Sequence, residues 1–262
     1  LFLTGGNSLR TWESTGTLNR ELAIYRDHIQ HEVKVRIVSY GGPRELEYKH
    51  RLKEFLITYN AFRLPSKLYE TFLTKIFSRS LKGEVIVKSN QVWGADVAMA
   101  VARKAGKKFV VRCGYLPSQM LLSEDDKNED RQQKLAELEH KVFQGADHSI
   151  VTTQRMKDTI VQHYAVAKDK ITVIPNYVDT NIFQPNVSTR KNNRISCVGR
   201  LTPKKNLVNL LAAIKDMDVE LDMIGDGDQK EELINIAQRD NLSVNFHGSV
   251  PHEQLPRILN ES

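Results

Sequence analysis

Val198-Gly199-Arg200-Leu201-Thr202-Pro203-Lys204-Lys205-Asn206 joins the apolar run Ile195–Val198 to a helical stripe of Leu207, Leu210, Leu211, Ile214 and Met217. Strand, loop and helix in that order form half of a βαβ unit. The loop after a parallel strand lies at the carboxyl end of its sheet, where open α/β folds bind ligands. The helix that follows turns its free N–H groups and the positive end of its dipole toward the same place. Gly199 permits close backbone approach, and Arg200 with Lys204 or Lys205 adds positive charge. Together these residues make a receptor for a diphosphate. From spacing alone, a solvated basic loop in which Asn206 caps the helix reads equally well.

The same alternation runs outward in both directions. Earlier strand candidates are Leu1–Thr4, Val35–Tyr40, Phe55–Tyr59, Glu84–Lys88, Phe109–Cys113, Ser149–Thr152 and Ile171–Ile174; Glu220–Ile224 and Ser243–Phe246 follow the loop. Most are near-continuous apolar runs, as expected of parallel strands buried on both faces. Between them, Leu18, Leu22, Tyr25 and Ile29 share one helical face, as do Leu135, Leu138 and Val142, and Met156, Ile160 and Tyr164. Glu137 stands four residues before Lys141, the spacing of a surface ion pair. Strand and helix in alternation imply parallel sheets covered on both sides.

The rhythm breaks once. Pro175-Asn176-Tyr177-Val178-Asp179, Pro185 and the polar run from Ser188 to Arg194 read as a linker. The expected organisation is a first domain over 1–175, a linker over 176–193 and a second domain over 194–262. The second domain yields only three strands and three helices, which leaves an open sheet edge and a thin core. With a start at Leu1 rather than Met, this reads as a fragment of a longer protein.

Composition bounds the function. The 262 residues are 40% hydrophobic and 27% charged, ordinary for globular domains. No apolar run approaches the roughly 18–20 residues that span a bilayer, and the start does not read as a signal peptide. A net charge of +6 suits phosphate esters, nucleic acid or anionic lipid headgroups, and equally plain solubility. Cys113 and Cys197 read as buried free thiols in a reducing compartment. The sequons at Asn186, Asn241 and Asn260 read as chance matches. No cluster has metal-ligand spacing, and the lone His247 reads as structural or solvent-facing. Gly5-Gly6-Asn7-Ser8 follows a strand but lacks the G-x-G-x-x-G register.

Residues 62–82 stand apart. Phe62, Leu64, Leu68, Tyr69, Phe72, Leu73, Ile76 and Phe77 are interleaved with Arg63, Lys67, Lys75, Arg79 and Lys82. A basic amphipathic helix lies on an anionic membrane; core packing of an ordinary surface helix gives the same pattern. Both readings stay open.

The opening string resembles the G-R-L-x-P-x-K-G segment of family 4 glycosyltransferases, retaining enzymes of the GT-B type. Three further motifs follow the family order. Ile171–Asp179 with Phe183 is similar to its V-I-P-N-G-V-D…F linker, Met223–Gly227 to its V-G-D-G turn, and Val244–Val250 to its V-x-F-x-G-x-V strand and loop. These motifs span residues 171 to 250; the N-terminal half is similar mainly in its βαβ layout.

The resemblance implies an α/β GT-B fold: two Rossmann-like, doubly wound domains facing a cleft, the second incomplete. It implies that Arg200 and Lys205 grip the donor diphosphate and stabilise the leaving nucleotide. Gly199, Gly225 and Gly227 would let the chain pass close to the nucleotide, and the backbone near Val250 would touch the base. Gly16 matches the second glycine of a family pair whose backbone faces the phosphates, with Thr15 in place of the first. Tyr177 and Asn206 likewise replace family glycines. Where many relatives carry a His, this chain has Arg112-Cys113-Gly114-Tyr115; Arg112 reads either as a donor or acceptor contact or as a structural pairing. The family's two glutamates would lie beyond Ser262, so this fragment alone is expected to be inactive.

The implied reaction is metal-independent transfer from a nucleoside diphosphate sugar, a co-substrate rather than a cofactor. The implied acceptor is a saccharide or lipid-linked saccharide, in surface polysaccharide or glycolipid synthesis. No nucleic-acid partner is expected. The expected location is cytoplasmic, with peripheral contact at the inner face of the membrane through residues 62–82 as one reading. A sugar-nucleotide epimerase of the same fold and a non-catalytic nucleotide-sugar or polyanion binder are the alternatives.

Overall fold

The computed structural model describes residues 1–119, 129–186 and 189–262. The chain divides into two compact units, Leu1–Asn176 and Tyr177–Ser262, each built on parallel strands.

The first unit contains β1 (Arg36–Val38), β2 (Leu56–Thr58), β3 (Ile86–Ser89), β4 (Lys108–Cys113), β5 (His148–Val151) and β6 (Ile171–Val173). β1 pairs with β2, and β3 to β6 pair in chain order, all parallel. The expected strand Leu1–Thr4 contracts to one bridging residue, because the Thr4 carbonyl already accepts from the Asn7 amide in a turn. Phe2 bridges Val38 on one side and Ser89 on the other. The spatial order is therefore β2-β1-Phe2-β3-β4-β5-β6, and the direction of winding reverses between Phe2 and β3.

Strand side chains alternate between faces, and this splits the core in two. Leu3 and Ile37 join Trp12, Leu22, Tyr25, Tyr48 and Phe55, carried largely by α1 (Leu9–Ser14), α2 (Leu18–Gln30) and α3 (Leu46–Arg51). Phe2 and Val38 belong to the larger core. That core receives α4 (Ser66–Lys75), α5 (Ala95–Ala105), α6 (Glu129–Gly145) and α7 (Gln154–Tyr164). The alanine-rich α5 buries Ala95, Val97, Ala98, Met99, Val101 and Ala102; small side chains let it lie close to the sheet. Two carboxylates are buried with it or beneath the other helices. Glu45 accepts from the Leu9 and Arg10 amides at 3.1 and 3.3 Å, and from Ser39 Oγ at 2.6 Å, and so caps α1 from a distant part of the chain. Glu139 accepts from Ser118 and from the Tyr164 hydroxyl. The surface pair expected between Glu137 and Lys141 does not form; Glu137 accepts from Gln133 Nε2 at 3.0 Å instead.

The second unit has the order β7 (Arg194–Val198), β8 (Glu220–Ile224), β9 (Val244–Gly248), again parallel. It carries α8 (Leu207–Ala213), α9 (Lys230–Arg239) and α10 (Leu255–Leu259). Leu201, Leu207, Leu211, Ile214, Leu221, Met223 and Leu233 form its core. Met217, expected on the same stripe, is 56% exposed, because α8 ends at Ala213 and the chain turns at Ile214. Part of the expected linker is bonded into this unit. The Asn186 amide donates to Asn260 Oδ1 at 2.8 Å, and Lys191 pairs with Glu261 at 2.7 Å. The Asn260 sequon is thus engaged, and the Asn186 sequon lies partly outside the described residues. Among the described residues no helix is long and apolar enough to cross a membrane.

Candidate active site

In the second unit, the loops after all three strands meet at one edge of the sheet. The Gly199 amide donates to Ile224 O at 2.9 Å, the Gly225 amide to Gly248 O at 2.8 Å, and the Leu201 amide to Asp226 O at 2.9 Å. Gly225 adopts φ +140°, and a Cβ there would overlap the carbonyl oxygen of Gly199; at Gly227 it would overlap that of Leu201. These two glycines therefore let the loop after β8 pass against the loop after β7. Their closest partner is protein backbone, where the resemblance implies a nucleotide.

The positive charge sits on the loop so fixed. After the turn Pro203–Lys205, the Lys205 side chain folds back toward the strand end, its Cε 3.6 Å from where a Gly199 Cβ would stand. Its charge reaches Cys197, whose thiol is pushed up by burial and drawn down by Lys205. Arg200 is exposed on the same loop. Asn206 has φ 54° and ψ 38° and makes no side-chain cap bond. This is a left-handed position, tolerated by Asn among non-glycine residues, so the residue that replaces the family glycine preserves its turn. The capping role weighed for Asn206 is not what its side chain does. Val250, partly buried, follows Gly248 at the same edge.

Beneath this edge lies a buried charge. Asp222 on β8 is fully buried and accepts from Arg194 Nε at 2.5 Å and Nη2 at 2.9 Å, from Asn245, and lies 2.6 Å from His247 Nε2. Burial pushes its carboxyl up, but the bonds from Arg194, His247 and Asn245 hold it below the usual aspartate value. His247 is thereby placed as a structural partner of Asp222. Of the two cysteines, both free, Cys113 is buried and its thiol is raised by burial, whereas Cys197 is only half-buried. The expectation of burial therefore holds for Cys113 alone; Cys197 keeps some exposure near the end of β7. Among the described residues no group of three or more His, Cys, Asp or Glu could hold a metal ion.

In the first unit the corresponding edge lies where the winding reverses, the position at which doubly wound sheets take ligands. Gly5 and Gly94 meet back to back there: the Gly5 amide donates to Trp93 O at 2.9 Å, and a Cβ on Gly94 would stand 2.7 Å from Gly5 Cα. Trp93 and Tyr115, after β3 and β4, are 47% and 43% exposed. They flank a bond from the Gly114 amide to Gln91 Oε1, 2.9 Å. The Tyr40 hydroxyl is buried there and has no partner among the described residues. Arg112 donates to Asn176 Oδ1 at 3.0 Å, which ties β4 to the V-I-P-N motif. Gly16 turns the chain between α1 and α2 at φ +68°, but its amide is already donated to Glu13 O at 2.9 Å. The backbone contact to phosphate implied for Gly16 thus has no free N–H at that residue. Trp93, Tyr115 and Tyr40 were not among the sequence candidates; the one signal for them was an aromatic residue just after a strand.

Residues 21–182 match the family described as Glycosyltransferase Family 4, and residues 178–262 match Glycosyl transferases group 1. This chain belongs to glycosyltransferase family 4. Solved structures similar to the family 4 chain include Alr3699/HepE of Anabaena in complex with UDP and glucose, 16% identical with a TM-score of 0.66 over 97% of this chain and 70% of that one. A glycosyltransferase from Rickettsia africae is 15% identical, TM-score 0.66, over 100% and 71%. The lipopolysaccharide outer core galactosyltransferase WaaB, in its apo form, is 20% identical, TM-score 0.57, over 81% and 58%. The family 4 chain thus has the GT-B fold and spans 58% to 71% of the length of these three proteins. No curated protein matches it significantly.

Proposed function

We propose that the family 4 chain transfers a glycosyl unit from a nucleoside diphosphate sugar to an acceptor hydroxyl, with retention of anomeric configuration. The carrying observation is the fixed loop Gly199–Lys205, which places Arg200 and Lys205 at the carboxyl edge of β7 with Lys205 folded toward Gly199. Arg200 and Lys205 offset charge on the donor diphosphate. Negative charge grows on the β-phosphate as the glycosidic bond breaks, and fixed cations act most strongly on charge that appears in the transition state. Gly199, Gly225 and Gly227 hold the loops that receive the nucleotide, and the backbone at Val250 meets the base. Because one similar protein was solved with UDP and glucose, and again with UDP-glucose, uridine donors are the first to test.

The acceptor is proposed to be a saccharide or lipid-linked saccharide of surface polysaccharide or glycolipid synthesis, used at the cytoplasmic side. It docks at the winding reversal of the first unit. Trp93 and Tyr115 offer rings to the apolar face of a sugar. Calorimetric titration with nucleoside diphosphates, and release of nucleoside diphosphate from sugar donors in the presence of saccharide acceptors, test the reading. Failure of every nucleoside diphosphate to bind the chain would overturn it. Conversion of the donor sugar without an acceptor would mark an epimerase instead.

A further inference from the structure

The two readings of residues 62–82 divide cleanly in the fold. Tyr69, Leu73 and Phe77 are buried, and Leu64 and Phe72 pack against the same core. Phe62, Leu68 and Ile76 remain outside, 86%, 57% and 56% exposed. The core accounts for one face of α4 and leaves the other unexplained.

That outer face is built. Phe62 stands at the tip of a turn that Asn60 locks from beneath: Asn60 Nδ2 donates to Leu64 O at 2.7 Å, and the Leu64 amide donates to Asn60 Oδ1 at 2.8 Å. Arg63 beside it is held at φ +51°, a conformation that persists in a non-glycine residue only where the surroundings impose it. The turn thus presents an aromatic ring to solvent in a fixed direction. From it runs α4, about 15 Å long, with Lys67, Leu68, Thr71 and Lys75 outward and Ile76 and Arg79 just beyond.

The charge on this face has one sign. Residues 62–82 hold five cations and one carboxylate, a net of +4 in a chain whose net charge is +6. That carboxylate, Glu70, is turned inward, half-buried and near Asp96, which with burial raises it. Exposed apolar side chains ringed by cations, with no outward acid, complement an anionic bilayer: rings and aliphatic chains enter the headgroup region while lysines and arginines meet lipid phosphates.

We propose that the Phe62 turn and the outer face of α4 dock the protein on anionic lipid bilayers. Attachment through this face is peripheral and reversible, because its side chains reach only the headgroup region. It stands apart from the transferase reading, since docking needs neither donor nor acceptor, and either can fail alone.

The test is co-sedimentation of the 262-residue chain with vesicles of phosphatidylcholine alone, or of phosphatidylcholine with phosphatidylglycerol, at low and high salt. The chain is expected to bind the anionic vesicles only, and more weakly at high salt. Removing both cations in Lys67→Ala/Lys75→Ala should weaken binding about thirty-fold, from roughly tenfold or less per cation near an anionic surface. Phe62→Ala should weaken it about ten-fold or more by removing the inserted ring. Lys104→Ala, an exposed cation of α5, should change it less than about two-fold. Circular dichroism checks that each variant is folded. Equal binding to neutral vesicles, no binding to either kind, or wild-type binding by both variants would overturn the proposal. So would salt-sensitive capture of an acidic protein by this face without vesicle binding.

Discussion

Lys205 folds back over Gly199, with its Cε 3.6 Å from the place a glycine Cβ would occupy. The bend of the turn at Pro203–Lys205 and the left-handed Asn206 direct the lysine toward the end of β7. In a transferase-active form of the protein, Lys205→Ala and Arg200→Ala should each lower kcat by about a hundred- to a thousand-fold, the usual effect of removing one donor to transition-state charge. Lys204→Ala should cost little, because it is Lys205 that is aimed at the strand end. The two large effects should be less than additive, since both cations act on one group. Steady-state kinetics with circular dichroism as a folding control checks this. Equal damage from Lys204→Ala would show that the register is wrong.

Gly225 should be far less replaceable than Gly199. At Gly225 a Cβ would overlap the Gly199 carbonyl at φ +140°, whereas at Gly199 it would meet only the flexible end of Lys205. Gly225→Ala is expected to destabilise the second unit by about 2–4 kcal/mol, and Gly199→Ala by much less. Thermal denaturation should show the difference as a drop of about 10 °C or more for Gly225→Ala alone.

Asp222 makes the second unit acid-sensitive. Its carboxyl lies below the ordinary 3.8 in the folded state. A group so lowered stabilises the fold fully above its unfolded value, and that stabilisation drains away as pH falls through 3.8 toward the folded value. Asp222→Asn should flatten this part of the acid transition. At neutral pH it should also cost about 1.5–3 kcal/mol, because Arg194 loses its buried partner and keeps only Glu220 and Glu261. Denaturant titrations across acid pH measure both effects; an unchanged slope in the variant would contradict the assignment.

Trp93 offers a test of the acceptor edge that leaves the donor untouched. It is 47% exposed, so truncation should alter stability little. In a transferase-active form of the protein, Trp93→Ala should raise the acceptor KM about three- to ten-fold through loss of ring stacking, with nucleoside diphosphate affinity unchanged. An altered donor affinity with an unaltered acceptor KM would place the residue in the other half of the reaction.

What could be read from the sequence followed from periodicity and from one loop. Parallel strands rich in Val and Ile, and stripes such as Leu18, Leu22 and Tyr25, report faces directly, because burial on one face is what selects them. The loop Gly199–Asn206 was legible because its residue types match a charge-handling task. Contacts between distant segments were not. Glu45 capping α1, Asp222 beneath Arg194, and Gly16 with its amide already bonded to Glu13 depend on neighbours that spacing does not reveal. Met217 fitted the stripe, but a helix ends where its backbone turns, and the turn at Ile214 left no mark in the apolar pattern. The helix α5 was not among the stripes read, for the opposite reason: its alanines bury well but carry little hydrophobic signal. Residues 62–82 held both readings until packing sorted Tyr69, Leu73 and Phe77 inward and left Phe62, Leu68 and Ile76 outside.

The backbone bonds that lace Gly199 to Ile224, Gly225 to Gly248 and Leu201 to Asp226 carry a consequence for affinity. A loop that must be ordered by its ligand gives up part of the binding energy as lost conformational freedom. Here the stretch that carries Arg200 is already held in place before any nucleotide arrives. Donor binding should therefore proceed close to rigid docking, and the affinity measured should reflect the contacts themselves rather than the surplus left after a segment has been immobilised.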